Sequence, residues 1–94
     1  MTNVFITGAA GFIGANLAKR VLTDEPEAHV VGLDNLNDYY DVRLKQARLA
    51  ELEAFSNFTF ICGDLADKAL ISDLFARYRP QIVVNLAAQA GVRY

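Results

Sequence analysis

The sequence has a single cysteine, a single histidine, two prolines and no tryptophan among its 94 residues. One cysteine excludes an intrachain disulfide framework and points to a reducing compartment, so a cytoplasmic setting is expected. Cys62 closes an apolar run and reads as a buried strand residue. No apolar run approaches the roughly 18 residues of a membrane span. The first run starts at Val4, and no signal peptide precedes it. Positive charge is scarce as well. Nine Lys and Arg stand against eleven Asp and Glu, for a net charge of −2, and the basic residues are scattered. That balance argues against a nucleic-acid partner or an anionic membrane surface. Repeats and low-complexity stretches are missing, and no metal site is expected.

What is present is apolar and regularly spaced. Just over half the residues, 53%, are hydrophobic, which fits one small globular α/β domain. Residues 4–7 form an apolar run without alternation, as a strand covered on both faces would show. Ile13, Leu17, Ala18, Val21 and Leu22 then recur at helical spacing over residues 12–22. A breaker at residues 23–28 precedes a second strand at 30–33, closed by Asp34. Residues 40–55 are helical in composition, with Leu44, Ala47, Leu49, Leu52 and Phe55 among charges. Phe58–Cys62 is a third strand. Asp67 can cap a helix that buries Leu70, Ile71, Leu74 and Phe75, and Pro80 ends it. "IVVNL", residues 82–86, is a fourth strand. Strands alternating with helices predict a doubly wound parallel sheet, a partial Rossmann fold with right-handed crossovers and strand order 3-2-1-4. The order reverses between strands one and four, which opens a crevice at their carboxyl ends.

The residues at that crevice carry the functional signal. "GAAGFIG" places Gly8, Gly11 and Gly14 between strand one and helix one. A first glycine allows a tight turn, a second lets a diphosphate approach the main chain, and a third lets the helix pack closely. The helix amino terminus then offers N–H groups and partial positive charge to the diphosphate. Asp34 stands twenty residues after Gly14, at the end of strand two. A carboxylate there accepts from adenosine ribose hydroxyls and repels a 2′-phosphate, so NAD is favoured over NADP. Asp64, in "GDL", ends strand three beside the adenine region. Ala87, Ala88, Ala90 and Gly91 after strand four let a flat ligand lie near the backbone. A methyl donor is the alternative ligand for such a sheet, and "GFI" at the helix start favours the dinucleotide. His29 reads as a surface residue before strand two. The basic stretch at 43–48 reads as a solvated helix face.

These motifs, "TGAAGFIG", "DNLNDYYDVRLKQARL", "GDLAD" and "LAAQAGVRY", resemble the amino-terminal part of the extended short-chain dehydrogenase/reductases. Within that family they are most similar to the UDP-glucuronate 4-epimerases. The resemblance covers essentially the whole chain and only about the first third of a family member. It implies that Gly8, Gly11, Phe12, Ile13 and Gly14 hold the diphosphate of NAD. It places Asp34 on the ribose with Asn35, Asn37 and Lys45 around it, and Asp64 and Leu65 at the adenine. Leu86, Ala87, Ala88 and Gln89 would line the nicotinamide, and Arg93 would face a sugar carboxylate or phosphate. Asn85 departs from the family, which usually has histidine before "LAA".

The family reaction, transient oxidation at the sugar 4-position, uses a tyrosine with a lysine four residues later. A neighbouring lysine lowers the tyrosine pKa so that the phenolate takes a proton near neutral pH. Here Tyr39, Tyr40 and Tyr78 are followed at that distance by Arg43, Leu44 and Ile82, and Tyr94 is the last residue. No catalytic residue is therefore expected in the chain. The expectation is the amino-terminal part of an NAD-binding domain, without a second domain and inactive alone, which would self-associate. The whole protein would bind a nucleotide sugar. A nucleotide-sugar 4,6-dehydratase and a non-catalytic NAD-binding module are the alternative readings.

Overall fold

A computed structural model describes residues 2–35 and 42–86. The elements run β1 (Asn3–Thr7), α1 (Phe12–Asp24), β2 (His29–Asp34), α2 (Val42–Glu53), β3 (Phe58–Cys62), α3 (Lys68–Tyr78) and β4 (Ile82–Asn85). All pairings are parallel, and the strand order is β3-β2-β1-β4. The register sets Thr7 beside Leu33 on one side and Asn85 on the other. Asp34 lies beside Cys62. The carboxyl ends of all four strands therefore share one edge of the sheet.

Helices pack on both faces of the sheet, and the period of two along each strand sorts its side chains between them. Val4, Ile6, Val30 and Phe58 pack with Ala15, Ala18 and Leu22 of α1 and with Leu49 and Leu52 of α2. Phe5, Val31 and Leu33 pack with Leu74 of α3 on the opposite face. Gly32 is the small residue in this pattern. A Cβ there would lie 2.7 Å from the Ala9 Cβ and 3.0 Å from the Phe58 ring. The missing side chain lets the loop after β1 seat over the sheet.

Several expectations change. Ile13 is exposed, because α1 buries the stripe Gly14, Ala15, Ala18 and Leu22. Small residues bring the helix axis close to the sheet, and Leu17 and Val21 are left on its flank. Phe75 is not buried in α3. It is 40% exposed, with its ring 5.3 Å from that of Phe5. Cys62 is exposed, since it is the last residue of β3, which among the described residues is an edge strand paired with β2 alone. His29 belongs to β2 rather than preceding it. It is half-buried, within 2.9 Å of the Thr59 hydroxyl and stacked on Tyr78. The breaker expected at residue 23 acts later, at the end of α1 at Asp24.

Candidate functional site

The loop from Thr7 to α1 begins the site. Gly8 has φ 74°, the left-handed region that glycine enters without strain. The Gly8 and Ala9 N–H groups both donate to the Leu33 carbonyl, which ties the loop to the end of β2. Gly11 N–H donates back to the Gly8 carbonyl at 3.0 Å and closes the turn. Gly14 then passes directly over that carbonyl. A Cβ on Gly14 would lie 2.1 Å from the Gly8 oxygen and 2.9 Å from its carbon. Backbone cannot yield to such an overlap, so the close approach of helix to loop requires glycine.

No side chain caps α1 at Gly11. The N–H groups of its first turn carry the positive end of the helix dipole. Phe12 and Ile13, 68% and 67% exposed, stand at that turn. Arg48 of α2 frames it. Its guanidinium donates to the Ala10 carbonyl at 3.2 Å and lies 5.7 Å from the centre of the Phe12 ring. A groove of about 170 Å³ between α1 and α2, lined by Asn16, Lys19 and Glu51 among others, shares only Phe12 with the expected site.

Asp34 is the charged centre. Its side chain is 4% exposed at the end of β2. Oδ2 accepts from the Ala10 N–H at 3.0 Å, and Oδ1 accepts from Lys45 Nζ at 3.2 Å. The Lys45 side chain is itself only 11% exposed. One carboxylate therefore joins the glycine loop, β2 and α2. Taking both charges out of water is costly, and such a pair persists only when its geometry is well satisfied.

The remaining expected residues are partly in view. Asn35 is exposed immediately beyond Asp34. Gly63 N–H donates to the Asp34 carbonyl, which holds the end of β3 against the end of β2. Asp64 follows on the same edge, exposed, its Oδ1 accepting from the Ala66 N–H. Leu65 packs against the α3-side core. At the other side of the crevice, Thr7 Oγ1 donates to Asn85 Oδ1 at 2.6 Å and accepts from the Leu86 N–H. Asn85 thus hydrogen-bonds where the family usually has histidine. Asn37, Ala87, Ala88, Gln89 and Arg93 lie outside the described residues, as do Tyr39, Tyr40 and Tyr94. Thr7 and Ala10 carry no sequence signal, and Arg48, expected on a solvated helix face, is instead half-buried against the glycine loop. Ala10 and Arg48 act through a main-chain N–H and on a main-chain carbonyl, which no side-chain motif signals.

The residues present fit a dinucleotide. The backbone cradle that a Gly14 Cβ would fill, the helix start without a side-chain cap and a buried carboxylate at the end of β2 are the donors and acceptor that diphosphate and ribose require. Among the described residues no group of His, Cys, Asp and Glu could hold a metal ion. None of their helices is long and apolar enough to cross a membrane.

Comparison with known proteins agrees with this geometry. Residues 5–94 match the family model described as GDP-mannose 4,6 dehydratase. Protein CapI of Staphylococcus aureus is 47% identical over 91 residues, which are 97% of this chain and 26% of that protein. UDP-glucuronate 4-epimerase 3 of Arabidopsis thaliana is also 47% identical, over 98% of this chain and 21% of that protein. The crystal structure of UDP-glucuronic acid 4-epimerase from Bacillus cereus with UDP-glucuronic acid and NAD superposes with a TM-score of 0.83 at 37% identity. The match covers 98% of this chain and 28% of that one. This chain thus spans about a quarter of the length of the relatives it matches.

Proposed function

The chain belongs to the NAD-dependent epimerase/dehydratase family, and from that premise we propose that it forms the NAD cradle of a nucleotide-sugar epimerase. Gly14 carries the reading. Its backbone contact with Gly8 is the close approach that opens a helix start to a diphosphate. Gly8, Gly11, Phe12, Ile13 and Gly14 hold the diphosphate. Asp34 holds the ribose, with Asn35, Asn37 and Lys45 about it, and Asp64 and Leu65 meet the adenine. Leu86, Ala87, Ala88 and Gln89 line the nicotinamide, and Arg93 faces the substrate. NAD, when bound, supplies a reversible hydride acceptor. The residues of this chain bind and orient it.

The finer reading is that the whole protein acts on UDP-glucuronate at the sugar 4-position. The identity to the Arabidopsis enzyme and the fold shared with the Bacillus cereus enzyme support it. The description of the matching family model favours a 4,6-dehydratase as the second reading. Residues 1–94 are read as the amino-terminal part of one NAD-binding domain, in a cytoplasmic setting and prone to self-association.

Calorimetry with NAD and NADP on the same sample tests the cradle. NAD binds more tightly, and Asp34→Ala weakens it by about 1–3 kcal/mol through loss of charge-assisted hydrogen bonds. Tighter NADP binding overturns the role of Asp34, and no NAD binding overturns the cradle. Incubated with NAD and UDP-glucuronate, the 94-residue chain makes no UDP-galacturonate, since no tyrosine in it is followed four residues later by lysine. Product that scales with chain concentration and survives repurification overturns that expectation.

A further inference from the structure

We propose that Lys45 sets how strictly the site discriminates between NAD and NADP, by compensating the charge of Asp34. The inference rests on the dinucleotide reading above. Selectivity against a 2′-phosphate is ordinarily ascribed to repulsion by the carboxylate at the end of β2. Here that carboxylate does not act as an isolated charge. Lys45 Nζ lies 3.2 Å from Asp34 Oδ1, and the two side chains are 11% and 4% exposed. Burial keeps solvent and salt from screening the pair, so both charges act on any group brought beside them. A ribose hydroxyl needs only an acceptor, which Asp34 supplies whether or not Lys45 is charged. A 2′-phosphate is a dianion, and it responds to the sum of the two charges.

The placement of Lys45 is enforced by packing. Leu49 and Leu52 of α2 are buried in the core shared with α1. They hold the helix so that Lys45, four residues before Leu49, turns inward to β2. Arg43, Leu44, Gln46 and Ala47 around it are exposed. The Ala10 N–H on Oδ2 fixes the other side of the carboxylate. Asp34 therefore keeps its orientation through the glycine loop when the cation is changed, and charge can be varied with geometry retained.

Lys45→Gln tests this, because glutamine keeps an N–H donor on a side chain one bond shorter and carries no charge. NAD and NADP affinities are measured by calorimetry on the full chain, with circular dichroism as the check of folding. The ratio of the NADP to the NAD dissociation constant rises about tenfold in Lys45→Gln, the scale on which a neighbouring charge shifts an ionic equilibrium. In Lys45→Arg the ratio stays near that of the unmodified chain. A second pair covers the case in which Lys45→Gln fails to fold. Asp34→Asn with Lys45 retained lowers the ratio, and Asp34→Asn with Lys45→Gln loses most of that gain. An unmoved ratio in Lys45→Gln, or equal ratios in the two Asp34→Asn variants, overturns the role of Lys45 and leaves the NAD cradle standing. A chain that binds neither dinucleotide overturns the cradle, and this inference falls with it.

Discussion

At the scale of single residues, two opposing effects meet at Gly14. Alanine in a helix interior is favoured over glycine by about 1 kcal/mol. The Cβ it adds would stand 2.1 Å from the Gly8 oxygen, and overpacking costs about 1–3 kcal/mol or more when the neighbour cannot move. The neighbour is backbone, so the overlap wins. Gly14→Ala should lower stability in urea by about 2 kcal/mol and abolish NAD binding. A variant as stable as the parent would show that helix and loop do not need this contact. The glycines were legible in the sequence because close backbone approach demands one residue type at one spacing, and the place of Asp34 at the end of β2 because it closes an apolar run. Lys45 was legible only through family resemblance, since a lysine in a charged helix gives no sign of turning inward. Cys62 departs from its reading because an apolar run does not reveal where burial ends along an edge strand, and β3 goes from a buried Phe58 to an exposed Cys62 at its last residue.

At the scale of elements, α3 shows what sequence does and does not specify. Asp67 was legible as its cap, and its carboxylate accepts from the Leu70 N–H at 3.1 Å. Asp67→Ala should cost about 1 kcal/mol, read as a lower urea midpoint with unchanged slope. The other end was legible only as a stop at Pro80. The chain in fact turns at Arg79, which has φ 45° and donates its N–H to the Phe75 carbonyl. A side chain in this left-handed region costs about 1–2 kcal/mol, whereas glycine loses about 0.5–1 kcal/mol more backbone entropy on folding. Arg79→Gly should therefore raise the melting temperature, with a gain of about 0.5–1 kcal/mol. A lower melting temperature would show that the arginine side chain holds contacts worth more than the strain. In α1 the helix was legible together with Ala18 and Leu22 of its buried face, whereas Ile13 is exposed. Periodicity favours large apolar residues, while close packing on a sheet selects Gly14, Ala15 and Ala18.

At the scale of the whole molecule, the strand order was legible because short crossovers between parallel strands leave few topologies. What covers the outer edge of β4 was not, because pairing there depends on a partner strand. Among the described residues no strand pairs with that edge. Ile82 and Val83 are each 49% exposed and Leu86 is 37% exposed. The strand carries neither charge nor proline, the two devices that most often keep an edge from recruiting other strands. Val84 is only partly buried against the α1 and α2 core, so the sheet face at β4 is thinly covered as well. The chain should therefore self-associate at micromolar to millimolar concentrations through β4, as unprotected apolar edges do. Light scattering across a dilution series reads this directly. Val83→Lys puts a charge on the edge and should shift the distribution toward monomer with NAD binding retained, since Val83 is outside the residues assigned to the dinucleotide and pairs with Phe5 in the middle of β1, short of the glycine loop. A monomer independent of concentration, with β4 amides strongly protected from exchange, would mean that another part of this chain already covers the edge.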